Sequence, residues 1–298
     1  MNLVDIEELT VRYGKRPVLD RVSFAVPEGS VYVLVGRNGA GKSSLVRCLL
    51  GEQRPDSGRA LLLGGDAWRE RARLLRGVGV VPEEPDAPPA MTARQLGRFC
   101  SGLYSSWDGA GLSGRLERFG VPDDVAFGQL SKGQKGHVLL SLCLAGSPRL
   151  LVLDDPTLGL DPVARRAVFD ELIVDLSERG TTVFLTSHDL AGVEGIADRI
   201  GLLQAGRLAV DEEMETLKQR FRKLRVPGAD GPAPEWSRAV EALRPVSATT
   251  RAWGWEAVVS AWDEDRPPSG LPESVEVSAL TLEEIFLSMA AIPGEAAR

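Results

Sequence analysis

Two polar loops separated by an apolar stretch carry the residues best suited to chemistry. In the segment 130–161, LSKGQKGHVLLSLCLAGSPRLLVLDDPTLGLD, the first loop offers backbone N–H groups at a helix start, a geometry that holds anions. The second loop ends the apolar run LLVL on two adjacent carboxylates. Asp154 is placed to bind Mg2+ through its water shell, and Asp155 to polarise an attacking water. Upstream, Gly36-Arg37-Asn38-Gly39-Ala40-Gly41-Lys42-Ser43 matches the G-x-x-x-x-G-K-[ST] pattern, and Ser44 follows it. Its glycines let successive N–H groups turn inward toward phosphate. Lys42 would reach the terminal phosphates, and the Ser43 hydroxyl would complete a Mg2+ shell. His188, at the end of TVFLTSH, could hydrogen-bond a phosphate oxygen and orient water. One nucleotide rarely needs two phosphate cradles on one chain, so two chains sharing two nucleotides are expected.

These residues need a scaffold that brings distant loops to one edge. Leu3 to Val26 alternates apolar and polar residues, which predicts antiparallel strands with one wet face. Short continuous apolar runs follow at VYVLV (31–35), VGVVP, LLVLD (150–154), TVFLT (182–186) and IGLLQ (200–204). Runs of this kind suit strands buried on both faces. Helical patterns separate several of them, notably 163–180, so a largely parallel α/β sheet is expected, with ligands at the carboxyl ends of its strands. Residues 85–146 read as a helical insertion. The charged segment EEMETLKQRFRKLR predicts a helix leading into a Gly/Pro-rich linker at 226–234. Beyond it, TTRAWGWEAVVSAW is strand-like, and Thr281-x-x-Glu284 predicts a capping box before an amphipathic helix. The expected division is 1–215 and 216–298, the latter a small α+β accessory domain.

The chain has 298 residues, enough for a full core; 43% are hydrophobic and 26% charged, as in ordinary globular proteins. A net charge of −7 argues against an extended nucleic-acid-binding face. The three cysteines, Cys48, Cys100 and Cys143, form no metal-like spacing and fit a reducing, cytoplasmic setting. No N-terminal stretch resembles a signal peptide, and no run approaches the roughly 18 apolar residues of a membrane span. Work at a membrane is therefore expected through a partner, without direct insertion.

Together the motifs resemble the ATP-binding subunit of an ABC transporter, over about residues 1–215. GRNGAGKS corresponds to that family's Walker A loop, LLVLDD to its Walker B strand, LSKGQ to its LSGGQ signature and Leu160-Asp161 to its D-loop. His188 matches the switch histidine, and Tyr13 the aromatic on which adenine stacks. The resemblance implies a P-loop NTPase core with an antiparallel β subdomain and a helical insertion. It also implies ATP and Mg2+ as ligands, and a head-to-tail dimer of nucleotide-binding subunits. There Ser131, Gly133 and Gln134 of one chain, with Asp161, would complete the site on the other. An integral membrane permease would dock on the insertion, placing the subunit on the cytoplasmic face.

Three positions depart from the family pattern. Asp155 stands where Glu is usual and is one methylene shorter, so slow but non-zero hydrolysis is expected. Lys132 replaces the first Gly of the signature pair, either to strengthen the ATP sandwich or simply as a solvated charge. Glu83 replaces the Q-loop glutamine, either as an oxygen ligand for Mg2+ or water or as a plain surface residue. The branch resembled most is the set of subunits paired with a separate ABC-2 type export permease, on the strength of Glu83, LSKG, the single nucleotide domain and the tail LTLEEIFLSMA. WRERARLLR (68–76) predicts a charged helix, either solvated or partner-docking. A soluble slow-turnover switch, or a translation or DNA-repair ATPase, is the competing reading. A single P-loop and the absence of sustained heptads weigh against it.

Overall fold

The computed structural model describes residues 1–104, 106–157, 160–266 and 268–290. Leu158 and Gly159 of the second loop therefore lie outside the described residues. The chain forms two compact units, Met1–Asp211 and the part from Glu212 onward.

In the first unit, β1 (Asn2–Tyr13) and β2 (Arg16–Pro27) pair antiparallel, as their alternating pattern predicts. Next come β3 (Val31–Val35), α1 (Lys42–Leu49), β4 (Ser57–Leu62), β5 (Gly65–Asp66), α2 (Arg71–Leu74) and β6 (Val78–Val81). Three helices then precede the next strand: α3 (Ala93–Ser101), α4 (Gly109–Arg118) and α5 (Lys132–Ala145). The unit closes with β7 (Leu150–Asp154), α6 (Pro162–Arg179), β8 (Thr182–Ser187), α7 (Leu190–Val193), β9 (Arg199–Gln204) and β10 (Arg207–Glu213), the last running just past its boundary. One sheet has the order β2-β1-β4-β5 and the other β10-β9-β3-β8-β7-β6. The pairs among β3, β6, β7, β8 and β9 are parallel.

The sheets share a core. Val4, Ile6, Leu9 and Val11 of β1 pack in one cluster with Tyr32 and Leu34 of β3, Val152 of β7 and Phe184 of β8. Phe24, Tyr32 and Phe184 stack with centroids 4.8 and 5.9 Å apart, adding about 0.5–1.5 kcal/mol per pair beyond area burial. The three helices between β6 and β7 have a core of their own, including Leu96, Leu112, Leu116, Phe127, Val138 and Leu142.

A charge network fastens α4 to α6. Arg115 Nε donates to Glu171 Oε1 at 2.7 Å, and Arg118 Nη2 to Glu171 Oε2 at 2.7 Å. Arg179 bridges Asp108 at 2.8 Å and Asp175 at 3.5 Å. Arg115, Glu171 and Asp175 are buried, whereas Arg118 is 59% exposed. Removing one partner of a buried pair leaves an uncompensated charge. Glu171→Ala is therefore expected to cost about 3–5 kcal/mol in chemical denaturation, and Arg118→Ala about 1 kcal/mol or less. Equal losses at the two positions would contradict the buried-network account.

In the second unit, α8 (Met214–Arg220), β11 (Arg222–Pro227), α9 (Pro234–Ala242), β12 (Pro245–Arg251), β13 (Gly254–Val259), β14 (Glu276–Ser278) and α10 (Leu282–Ala290) build an antiparallel sheet in the order β12-β13-β11-β14 with helices. Leu224, Val226, Trp236, Val240, Trp255 and Val259 belong to its core. The Thr281 capping box forms as predicted: Glu284 N–H donates to Thr281 Oγ1 at 3.2 Å, and Thr281 N–H to Glu284 Oε2 at 2.9 Å.

Three local expectations differ from the structure. The predicted charged helix over EEMETLKQRFRKLR stops at Arg220, and RKLRVP is a strand with Arg222, Leu224 and Val226 on its buried side. Its period of two fits a place between β13 and β14, which local charge could not reveal. The linker expected at 226–234 shrinks accordingly, because Val226 and Pro227 end β11 and Pro234 opens α9. WRERARLLR is not a full helix either. Only Arg71–Leu74 is α-helical, followed by a 3-10 turn, with Arg71 tied to the Leu50 carbonyl at 2.9 Å and to Glu52 at 3.2 Å.

Candidate functional site

Chain order becomes spatial proximity at the carboxyl ends of the parallel strands. Register aligns Val35 with Ser187 and Asp154 with Thr186, so the loops leaving β3, β7 and β8 emerge side by side, with that of β6 next to β7. An open cavity of about 340 Å3 lies there. It is lined by Val18, Asn38, Gly39, Gly41, Lys42, Ser43, Ser44, Glu83, Asp154, Asp155 and His188.

The loop after β3 has the backbone its glycines allow. Gly41 caps α1 at φ 113°, and a Cβ there would lie 2.7 Å from Leu19 and 2.8 Å from the Val18 carbonyl. Gly36 is equally confined, since a Cβ would approach the Leu203 carbonyl at 2.6 Å. Lys42 is buried and donates from Nζ to the Gly36 carbonyl at 2.7 Å. Burial pushes its ammonium below the ordinary value, against the attraction of Asp155, Asp154 and Glu83. Lys42 is thus a desolvated cation held by one neutral acceptor, ready to exchange that acceptor for an anion.

The carboxylates behind it are set by Thr186. Its hydroxyl donates to Asp154 Oδ1 at 2.5 Å and accepts from the Asp155 backbone N–H at 3.1 Å. The Thr186 carbonyl also accepts from that N–H at 3.1 Å. Burial raises the Asp154 carboxyl above its ordinary value, opposed by the Thr186 hydrogen bond and reinforced by Asp155. Asp155 itself sits at φ 51°, in the left-handed region that Asp tolerates better than most residues. Its Oδ2 lies 2.5 Å from His188 Nδ1, while the buried Oδ1 has no partner. The acid and the imidazole therefore form one unit with a spare acceptor oxygen. Thr186 escaped the sequence reading; the signal was a hydroxyl near the end of a buried strand, beside Asp154 in register.

Hard oxygen donors from Ser43, Asp154 and Glu83 suit Mg2+. Among the described residues no three His, Cys, Asp or Glu side chains could cage a metal by themselves. A cation shared between one or two carboxylates, a hydroxyl, phosphate and water needs no such cage, so the residues fit Mg2+ bound together with a polyphosphate.

The remaining predicted residues lie outside the cavity lining. Gly36 and Ala40 belong to the same loop, with Ala40 N–H donating to the Arg37 carbonyl at 3.0 Å. Tyr13 ends β1 with its side chain about half exposed. Its hydroxyl lies 3.3 Å from Ser44 Oγ and donates to Gln53 at 2.9 Å, and the Ser44 contact draws the phenol below its usual value. Ser131 and Gln134 form the capping box that starts α5, at 3.2 and 3.0 Å. Asp161 caps α6 by accepting from Val163 and Ala164 N–H groups, each at 2.9 Å. Gly133 packs against Leu160: a Cβ there would lie 2.9 Å from its Cδ2. Signature and D-loop residues thus form a second cluster on the same chain.

Residues 19–158 match the family model described as ABC transporter. A Nod factor export ATP-binding protein I from Rhizobium etli is 34% identical over 213 residues, covering 70% of this chain and 67% of that one. A lantibiotic transport ATP-binding protein from Streptococcus pyogenes is 33% identical over 224 residues, covering 74% of this chain and 96% of that protein. Among solved structures, one described as the ATP binding subunit of an ABC transporter superposes with a TM-score of 0.66 at 25% identity. It covers 73% of this chain and 92% of its own.

Proposed function

The chain belongs to the ATP-binding subunits of ABC transporters, and from that membership we propose that it binds and hydrolyses ATP to drive a separate membrane permease in export. The observation that carries this reading is the convergence of Lys42, Glu83, Asp154, Asp155 and His188 on one cavity at the strand ends. Export is supported by a relative named for Nod factor export, and transport more broadly by one named for lantibiotic transport. No helix among the described residues is long and apolar enough to cross a membrane. Attachment through a permease at the cytoplasmic face is part of the proposal and rests on the family membership.

In this reading the P-loop N–H groups and Lys42 hold the ATP phosphates, and the Tyr13 ring offers the base a stacking surface. Ser43 and Asp154, with Glu83, hold Mg2+, which when bound neutralises charge on the phosphates. Asp155 accepts the proton of the attacking water, and His188 fixes its orientation. The short Asp155 side chain, already engaged by His188, makes turnover slow. The second cluster, Ser131, Gly133, Gln134 and Asp161, serves the ATP held by another subunit. That division of labour explains why these residues lie outside the cavity lining of their own chain.

Purified protein, alone and co-expressed with its permease, tests the coupling. Membrane recruitment and faster phosphate release are expected only with the permease present. Equal turnover and no recruitment in both preparations would point instead to a soluble nucleotide switch.

A further inference from the structure

The exit from β6 carries two consecutive acids with different surroundings. Glu83 lines the nucleotide cavity, whereas Glu84 is exposed and accepts a hydrogen bond from Lys132 Nζ at 2.8 Å. Lys132 is the first residue of α5, directly after the capping Ser131. β6 and the residues leaving it run along α5. Cys143 Sγ donates to the Val80 carbonyl at 3.4 Å, and a Cβ on Gly136 would lie 3.9 Å from Pro85. Contacts at 143, 136 and 132 therefore follow the helix from its last turns back to its first residue.

We propose, resting on the two-chain reading above, that the Lys132–Glu84 pair is a positioning contact that ties the chain's own nucleotide cavity to the signature it presents to its partner. A ligand that draws Glu83 inward moves Glu84 with it, and Lys132 carries that shift to Ser131 and Gly133. The pair lies at the first residue of α5, next to the signature residues, whereas the Cys143 contact anchors the last turn. Its groups are exposed, so it adds little to stability and acts on alignment instead. Lys132 touches no phosphate in this arrangement; it is a positioning residue.

Charge reversal tests the pair in the full-length chain carrying Asp155→Asn, so that hydrolysis does not dissolve the dimers being counted. Glu84→Lys and Lys132→Glu are each expected to raise the ATP concentration needed for half-maximal dimerisation by about two- to five-fold. Binding of a fluorescent ATP analogue to the monomer should stay unchanged. The double reversal should restore dimerisation, and the single defects should shrink in high salt, which screens the repulsion they create. If Lys132 instead met phosphate directly, Lys132→Glu would remain defective in the double reversal, which overturns the proposal. Monomer affinity falling in step with dimerisation would overturn it too. Absence of ATP-driven dimers in the chain carrying Asp155→Asn alone would refute the two-chain reading itself, and that failure is visible before either charge is reversed.

Discussion

Asp155→Asn is expected to lower ATP turnover by about 100- to 10,000-fold while ATP binding is retained. Asparagine fills the same volume and tolerates φ 51° as well as aspartate does, so the loop backbone should persist. The N–H bonds to Thr186 do not involve the side chain and should survive. What disappears is an acceptor able to take a proton, at the place where a buried oxygen has no partner and its twin is held by His188. Phosphate release at saturating ATP, paired with equilibrium binding, separates the two effects. Unchanged turnover would remove Asp155 from the role of base. Asp155→Glu tests the length argument: the added methylene should raise turnover above that of the natural chain.

Lys42→Met is expected to weaken ATP binding by about 10- to 100-fold, the range for losing a hydrogen bond to a charged group. Methionine keeps the buried stem but removes the one Lys or Arg among the described side chains that line the cavity. Glu83, Asp154 and Asp155 then face the phosphates without Lys42 between them. Its present acceptor, the Gly36 carbonyl, belongs to the same loop, so the substitution should change ligand affinity more than fold stability. Calorimetric titration with Mg2+-ATP measures the affinity, and thermal melting without nucleotide measures the fold. A melting temperature that collapses while affinity holds would reverse this assignment.

Much of the site was legible in the sequence because its residues sit at the junctions of strongly patterned elements. VYVLV before the P-loop, LLVL before Asp154 and TVFLT before His188 are continuous apolar runs, and each became a strand of the parallel sheet. What stayed hidden depends on pairing between strands. Thr186 became visible as the organiser of Asp154 and Asp155 only once β7 and β8 were in register. The Asp155–His188 contact joins residues from two separate loops, and no local spacing encodes it. Likewise RKLRVP has the charge of an exposed helix, and only its neighbours β13 and β14 make it a strand. Lys132 stands out in sequence as a departure from the family pattern, but its partner Glu84 lies 48 residues away.

The two half-sites on one chain are expected to meet across two chains. Light-scattering mass of the Asp155→Asn variant with Mg2+-ATP tests it most directly, because turnover should be too slow to dissolve the complex. A dimer is expected with nucleotide, a monomer without it, and a monomer in both conditions when Gly133→Asp is added, since a side chain there collides with Leu160 and places negative charge beside the partner's phosphates. A variant that binds ATP tightly and stays monomeric, or a Gly133→Asp form that still dimerises, would contradict it.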